Sequence, residues 1–423
     1  MIFRRESMLN NLEKTLKDRC HVATGYDGDR FVGIKADTKS AEIYFPIGWN
    51  LSDDDRTIRE DIITLFRILY AFNKKDKLIS AQKFNHLQNV DFPIHSYLQI
   101  ITRFLNDGKY YVESDHEYKV GAKGQISWSR TVRSQKGIVQ NGSLIFTNTV
   151  ARHLTPNFNK QITQIHKFCV YEAFDKLGWL YIANKPDLPG RCPSVRESIQ
   201  ILTQKISRSH NDNEQELFGA MLNMFRYMDV QSFEKDYLFG TDYFERIWEG
   251  LIDKAFGIKD KSKYFPKTRW LLDYGTDKEK SSLIPDSIMI YKDKLYILDA
   301  KYYKYGQTGN VDDLPGSSDI NKQITYGEYI AKHSQIPNER LFNAFLLPYN
   351  MTDSELPFAT VFGNFGEAVG DWKDNTKNYE RVQGIVVDTR FLMYNYLKLS
   401  EKYLNKLATC IEKGAYRYRN VTK

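Results

Sequence analysis

Two carboxylates and a lysine carry the chemistry that this chain advertises most openly. They lie in Ile284-Pro-Asp-Ser-Ile-Met-Ile-Tyr-Lys-Asp-Lys-Leu-Tyr-Ile-Leu-Asp-Ala-Lys301, as Asp286, Asp299 and Lys301. The segment alternates in a way that predicts a β-hairpin. With Lys292 and Asp293 in the turn, Asp286 faces Asp299; with a longer loop, Asp286 faces Lys301. Either register puts all three on one sheet face, because strand side chains alternate with period two. Directly opposed side chains have Cβ atoms about 4.5–5.5 Å apart, close enough for two carboxylates to share one cation.

The neighbours sharpen the reading. Ile288, Ile290, Leu295 and Ile297 share that face, while Met289, Tyr296, Leu298 and Ala300 take the other. The hairpin is therefore expected to be buried on both sides, with the charges at its end. Adjacent desolvated carboxylates repel, and a divalent ion with one lysine offsets that cost. Oxygen donors without thiolates or paired histidines favour Mg²⁺, for which Mn²⁺ can substitute, over zinc. Asp286 and Asp299 would be ligands and the Ala300 carbonyl a third. Such a centre suits phosphodiester hydrolysis: the ion polarises phosphate and water, and Lys301 orients or helps deprotonate the water and stabilises the crowded phosphorus. The plainer alternative is an ordinary hairpin with charges at its solvent edge.

Pro285-Asp286 followed by Asp299-Ala300-Lys301 resembles the PD-(D/E)-x-K nuclease signature. The words around it, Leu283-Ile-Pro-Asp-Ser-Ile, Ile297-Leu-Asp-Ala-Lys-Tyr-Tyr303 and Ile320-Asn-Lys-Gln-Ile-Thr-Tyr-Gly327, resemble the LlaJI-type restriction endonucleases, relatives of the McrC nuclease subunit. Tyr44-Phe-Pro-Ile-Gly48 and the G-x-I-x-W-x-R-T element at Gly124–Thr131 extend the resemblance over residues 30 to 400. It implies a bacterial, Mg²⁺-dependent endonuclease acting on double-stranded DNA and leaving 5′-phosphate and 3′-hydroxyl ends. It also implies dimerisation or partner-driven assembly for double-strand cleavage, and commonly a McrB-like AAA+ GTPase as partner. This sequence has no G-x-x-x-x-G-K-[ST] loop, so a second polypeptide would have to hydrolyse the nucleotide.

Such nucleases usually add a glutamate from the helix before the sheet. Glu245 is the match, as ligand directly or through water, and Glu249, one turn on, is the substitute. Gln323 would position water or phosphate. Tyr326 shares its helix face but departs from the Q-x-x-x-Y spacing by one residue. A catalytically silent scaffold on the same fold would have lost a carboxylate or the lysine; all three are kept. A repair or structure-specific nuclease would use the same residues.

In the amino-terminal half, Lys123, Arg130 and Arg133 flank Trp128 in a segment read as a glycine turn and a strand. Trp128 would be a core anchor with Arg130 at its edge, or the group would contact phosphate or a partner protein.

The elements needed to position these residues read as α/β: a carboxy-terminal restriction-endonuclease-like domain, a central mixed sheet flanked by helices, preceded by an α+β domain. Strands are expected at 30–35 and 41–46, within 109–149, at 341–347 and at 382–387. Helices are expected at 58–72, 161–177, 217–228, 242–256 (capped by Thr241 or Asp242), 318–332 and 390–411. His166 reads as a packing histidine. The polar run 205–215 suggests domains at 1–205 and 236–423 with a linker or helix at 206–235.

With 423 residues, 42% of them hydrophobic and 14% aromatic, the chain can bury more than one core, which excludes a disordered protein. A formal charge of +7 is compatible with a polyanionic partner without demanding one. Four scattered cysteines make neither a disulfide framework nor a zinc site, so a reducing cytoplasm fits. The start, Met-Ile-Phe-Arg-Arg-Glu-Ser, lacks the apolar core of a signal peptide, and no run is long and apolar enough to span a membrane.

Overall fold

The structure is a computed structural model that describes residues 15–26, 28–37, 40–73, 92–121, 123–181, 183–190, 193–230, 237–274, 278–279 and 282–417. Cys192 and the first residues of the chain, on which two of the expectations above rest, lie outside them. The chain is a mixed α/β protein that divides into two compact units. One gathers the described residues of 1–89 and 235–423, and the other those of 90–234.

The first unit is built on a mixed five-stranded sheet. Its strands, in order across the sheet, are Ser287–Tyr291, Lys294–Ala300, Leu341–Tyr349, Val382–Asp388 and Phe362–Ala368. The outer pairs are antiparallel and the two inner pairs parallel. The inner strands are buried on both faces, which explains their near-continuous apolar sequences. On one face Ile288, Leu295 and Ile297 pack against Tyr326 and Ile330 of the Ser317–His333 helix. On the other, Tyr296 stacks on Phe342 and its hydroxyl donates to Glu412 of the Glu401–Arg417 helix at 2.5 Å. Ile290, expected inside, is 44% exposed, because burial ends before the turn.

A second, four-stranded sheet runs Cys20–Val22, Ala41–Phe45, Val32–Ala36, Tyr237–Thr241. Its last pairing joins the start of the chain to residues beyond 235. Residues 15–73 therefore fold with the carboxy-terminal half, not with an amino-terminal domain ending at 205. Arg390 and Tyr394 reinforce this by converging on the buried Asp61 carboxylate, at 3.0 and 2.6 Å. Gly48 completes the joint: its φ of +74° suits glycine, and a Cβ there would come within 2.8 Å of Tyr349.

The second unit packs the helices Ile94–Asp107, Gln161–Leu177, Val195–Arg208 and Asp212–Val230 with a three-stranded sheet and a separate hairpin, Gly137–Gln140 and Ser143–Phe146. The polar run 205–215 is not a domain boundary: it holds the tight turn between two packed helices. His166 is buried, and its Nδ1 accepts the Tyr111 backbone N–H at 2.8 Å. At the end of the chain the single helix expected over 390–411 is two, Thr389–Asn395 and Glu401–Arg417. The first packs on the Phe244–Phe256 helix and the second on the sheet, so the chain must turn between them.

Candidate active site

The hairpin has the tighter of the two expected registers. Tyr291 pairs with Lys294 and Ser287 with Leu298, so the next facing pair beyond the ladder is Asp286 and Asp299. Lys292 and Asp293 both have positive φ, 45° and 58°, as a two-residue turn that matches strand twist requires. At the other end, one Asp286 carboxylate oxygen accepts the Ala300 N–H at 2.8 Å. Two further contacts fix the chain at that aspartate and two residues before it. The Tyr326 hydroxyl donates to the Ile284 carbonyl at 3.0 Å, and Lys261 Nζ donates to the carbonyl of Asp286 itself at 2.5 Å.

Lys301 follows the strand. Its N–H donates to the Leu346 carbonyl at 2.9 Å, and its ammonium lies 2.9 Å from Asp299 Oδ2 and 2.8 Å from Asp319 Oδ1. The same Leu346 carbonyl accepts Trp248 Nε1 at 3.1 Å, which ties the Phe244–Phe256 helix to the strand exit. That helix begins at Phe244 rather than 242, with the Thr241 hydroxyl accepting the Tyr243 N–H at 2.9 Å.

Electrostatics separates the two helix glutamates. Burial, then the charges of Asp299 and Glu249, push the Asp286 carboxyl up to about 7, against the pull of the Ala300 N–H and Lys301. Burial and Asp299 also raise Glu249, though its side chain reaches solvent. Burial alone would lower Lys301; Asp299 and Asp319 more than offset it and hold the ammonium above the usual lysine range. Glu249 is thus the helix carboxylate that the aspartate pair feels. Glu245 lies one turn earlier, lining a cavity of about 350 Å³ with Ile47, Tyr302, Tyr303 and Lys304. The Tyr302 hydroxyl accepts the Ile47 N–H at 2.7 Å, so the Phe-Pro-Ile-Gly element is seated beside the site.

Gln323 is 1% exposed, and its amide donates to the Ile297 carbonyl at 3.0 Å while its Oε1 has no partner among the described residues. It braces the strand two residues before Asp299. Tyr326, whose spacing departed from the expected pattern, is buried beside the aspartates and holds the segment that leads into the first strand through the Ile284 carbonyl. Sequence reasoning missed Trp248 and Lys261 as supports, and Asp319 as a partner of the lysine. Asp319 precedes Gln323 by four residues, a same-face helical spacing that could have pointed to it.

The donor set fits a hard divalent cation. The Asp286 and Asp299 carboxylates converge beside the Lys301 ammonium, and the raised Asp286 registers first its burial and then the charges of Asp299 and Glu249, both of which a cation would offset. Among the described residues no three His, Cys, Asp or Glu side chains form a ready-made metal cage. Mg²⁺ commonly takes one or two carboxylates and completes its shell with water and substrate oxygens.

The second unit corrects the amino-terminal reading. Trp128–Ser134 is a short helix, not a strand, and Trp128 is 59% exposed, not a core anchor. The inward residue is Thr131, whose hydroxyl accepts the Val150 N–H at 2.9 Å. Gly124 has φ +107°, and a Cβ there would lie 2.8 Å from the Arg152 carbonyl. The Arg130 guanidinium lies 3.7 Å over the Tyr118 ring, and Lys123 and Arg133 are exposed. Val132, Val139 and Leu144 are exposed in the same unit.

The profile of the LlaJI restriction endonuclease family matches residues 31–367. A curated relative, "Type II restriction enzyme BsuMI component YdjA" of Bacillus subtilis (strain 168), is 27% identical over a 273-residue alignment that covers 60% of this chain and 58% of the relative. The chain thus spans a little over half of that protein's length. Among solved structures, McrB AAA+ hexamers with bound McrC from Thermococcus gammatolerans align over 89% of this chain and 83% of the matched chain, with 15% identity and a TM-score of 0.36.

Proposed function

The chain belongs to the LlaJI restriction endonuclease family, and from that premise we propose that it is a Mg²⁺-dependent endonuclease that hydrolyses DNA at Asp286, Asp299 and Lys301. The observation that carries this reading is the pairing of Asp286 with Asp299 where the hairpin ladder ends, beside a lysine ammonium. Asp286 and Asp299 would hold the ion, with Glu249, or Glu245 through water, and the Ala300 carbonyl as further candidates. When bound, Mg²⁺ supplies Lewis-acid polarisation of the phosphate and a more acidic attacking water. Lys301 supplies a fixed positive charge toward the negative charge that builds on the phosphoryl oxygens. Trp248, Tyr326 and Lys261 hold the elements that aim these groups.

The second unit serves recognition on this reading, through DNA phosphates at Lys123, Arg130 and Arg133 or through a protein partner at the exposed Trp128 region. Exposed apolar surface of this kind favours a protein contact. The relative's description as one component of an enzyme, together with the lack of a nucleotide-binding loop here, favours a separate McrB-like GTPase. Double-strand cleavage then requires two copies to meet.

The test is cleavage of methylated and unmethylated plasmid DNA with Mg²⁺, with and without GTP and a candidate partner. Cleavage that Asp286→Ala abolishes supports the assignment. Full activity in that variant, or no cleavage in any combination, refutes it.

A further inference from the structure

Lys301 is held from two sides, and the two holders are not equivalent. Asp299 belongs to the same strand and is itself a candidate ligand, so an oxygen that turns to a cation is withdrawn from the ammonium. Asp319 comes from the first turn of the Ser317–His333 helix and has no such competing duty. We propose that Asp319 is the positioning residue for Lys301, keeping the ammonium aimed at the reacting phosphate and away from the aspartate pair.

Three observations carry this. Asp319 Oδ1 lies 2.8 Å from Lys301 Nζ, and Asp319 Oδ2 accepts the Tyr303 hydroxyl at 3.3 Å, so both carboxylate oxygens are engaged by residues at one strand exit. The helix that presents Asp319 is fastened to that hairpin twice, by Gln323 on the Ile297 carbonyl and by Tyr326 on the Ile284 carbonyl. The Lys301 and Asp319 side chains are 14% and 23% exposed, so their pairing is largely sheltered from bulk screening. A lysine stem has four flexible carbons and a strongly hydrated head, and one partner does not fix it. Without Asp319, Asp299 is the remaining ion-pair partner of the ammonium among the described residues, and the lysine settles there, where it competes with a cation for the same oxygens.

The proposal rests on the nuclease reading, and a kinetic double-mutant cycle separates the two. Wild type, Asp319→Ala, Asp319→Glu, Lys301→Met and the Lys301→Met/Asp319→Ala double variant are compared at saturating Mg²⁺, with the partner present if cleavage needs it. Asp319→Ala should lower kcat by about 10–100-fold, the usual scale for an outer supporting carboxylate, with KM for DNA within about twofold. Asp319→Glu should recover part of the loss. The double variant should be no slower than Lys301→Met, because a residue that acts only through the lysine has nothing left to position. Calorimetry with Mn²⁺ alone should show weaker uptake in Asp319→Ala. Losses that multiply in the double variant, or wild-type kcat and Mn²⁺ affinity in Asp319→Ala, overturn the proposal while leaving the nuclease standing. A wild type that cleaves no DNA overturns both.

Discussion

The carboxylate of Asp286 hangs from the peptide N–H of Ala300 at 2.8 Å. That bond sets the first aspartate of the hairpin against the residue between Asp299 and Lys301, so the geometry of the three charged groups is fixed by main chain as well as by side-chain packing. It also keeps one Asp286 oxygen occupied.

Asp286→Asn keeps the size of the side chain and an oxygen for the Ala300 N–H, but removes a charge that Asp299 and Glu249 oppose. Cleavage should fall by on the order of 100-fold or more with the electrostatic stabilisation it supported. The melting temperature measured without divalent ions should stay level or rise, since the neutral amide avoids burying a charge and relieves the repulsion from Asp299 and Glu249. A variant that is both inactive and strongly destabilised would mean that Asp286 serves mainly the fold.

Trp248 is fully buried, and its indole N–H reaches the Leu346 carbonyl that also receives Lys301. Trp248→Phe keeps most of the apolar contact and loses that bond, a stability cost of about 1 kcal/mol by denaturant unfolding. Activity should fall further than stability explains, because the helix carrying Glu249 loses its tie to the strand exit.

The second unit should weaken in acid. Burial, with a smaller contribution from the Arg103 charge, depresses the His166 pKa to about 4, against an ordinary value of 6.5. Below the unfolded value the unfolded chain takes up a proton that the folded imidazole refuses. Stability is therefore complete above about pH 6.5 and falls as the pH drops toward 4, by on the order of 3 kcal/mol in total. Urea unfolding across this range should show the slope in wild type and a flatter profile in His166→Gln.

Trp128→Ala should leave the melting temperature within a degree or two, since the indole is more exposed than buried. If the surface around it docks a partner, loss of an aromatic anchor costs about 2 kcal/mol or more of binding, roughly 30-fold in affinity. Pull-down and cleavage assays with and without the partner measure this. Unchanged partner affinity would remove Trp128 from the recognition surface.

The chemistry was more legible than the architecture. Asp286, Asp299 and Lys301 could be placed together because strand parity depends only on local alternation, and both plausible turns gave the same face. The helix over 161–177 and the strands beginning at Leu341 and Val382 were equally local signals. The pairing of Val32–Ala36 with Tyr237–Thr241 was not, since two short strands some 200 residues apart carry no mark of each other. The strand Phe362–Ala368 hid behind Gly363, Gly366 and a bulge at its middle. Trp128 and Arg130 looked like strand neighbours because two-residue spacing suits a strand, and a seven-residue helix is too short to declare a 3.6-residue period. The choice between Glu245 and Glu249 turned on helix phase at the sheet, which Trp248 sets through a contact with a strand almost a hundred residues away.

On the proposed function, the ends of these two strands bind a divalent cation beside Lys301. Crystals soaked in Mn²⁺ and measured at its absorption edge test this without reference to any substrate. An anomalous peak is expected about 2.0–2.2 Å from oxygens of both Asp286 and Asp299, lost in Asp286→Ala. A fully soaked crystal with no peak between those carboxylates would contradict it.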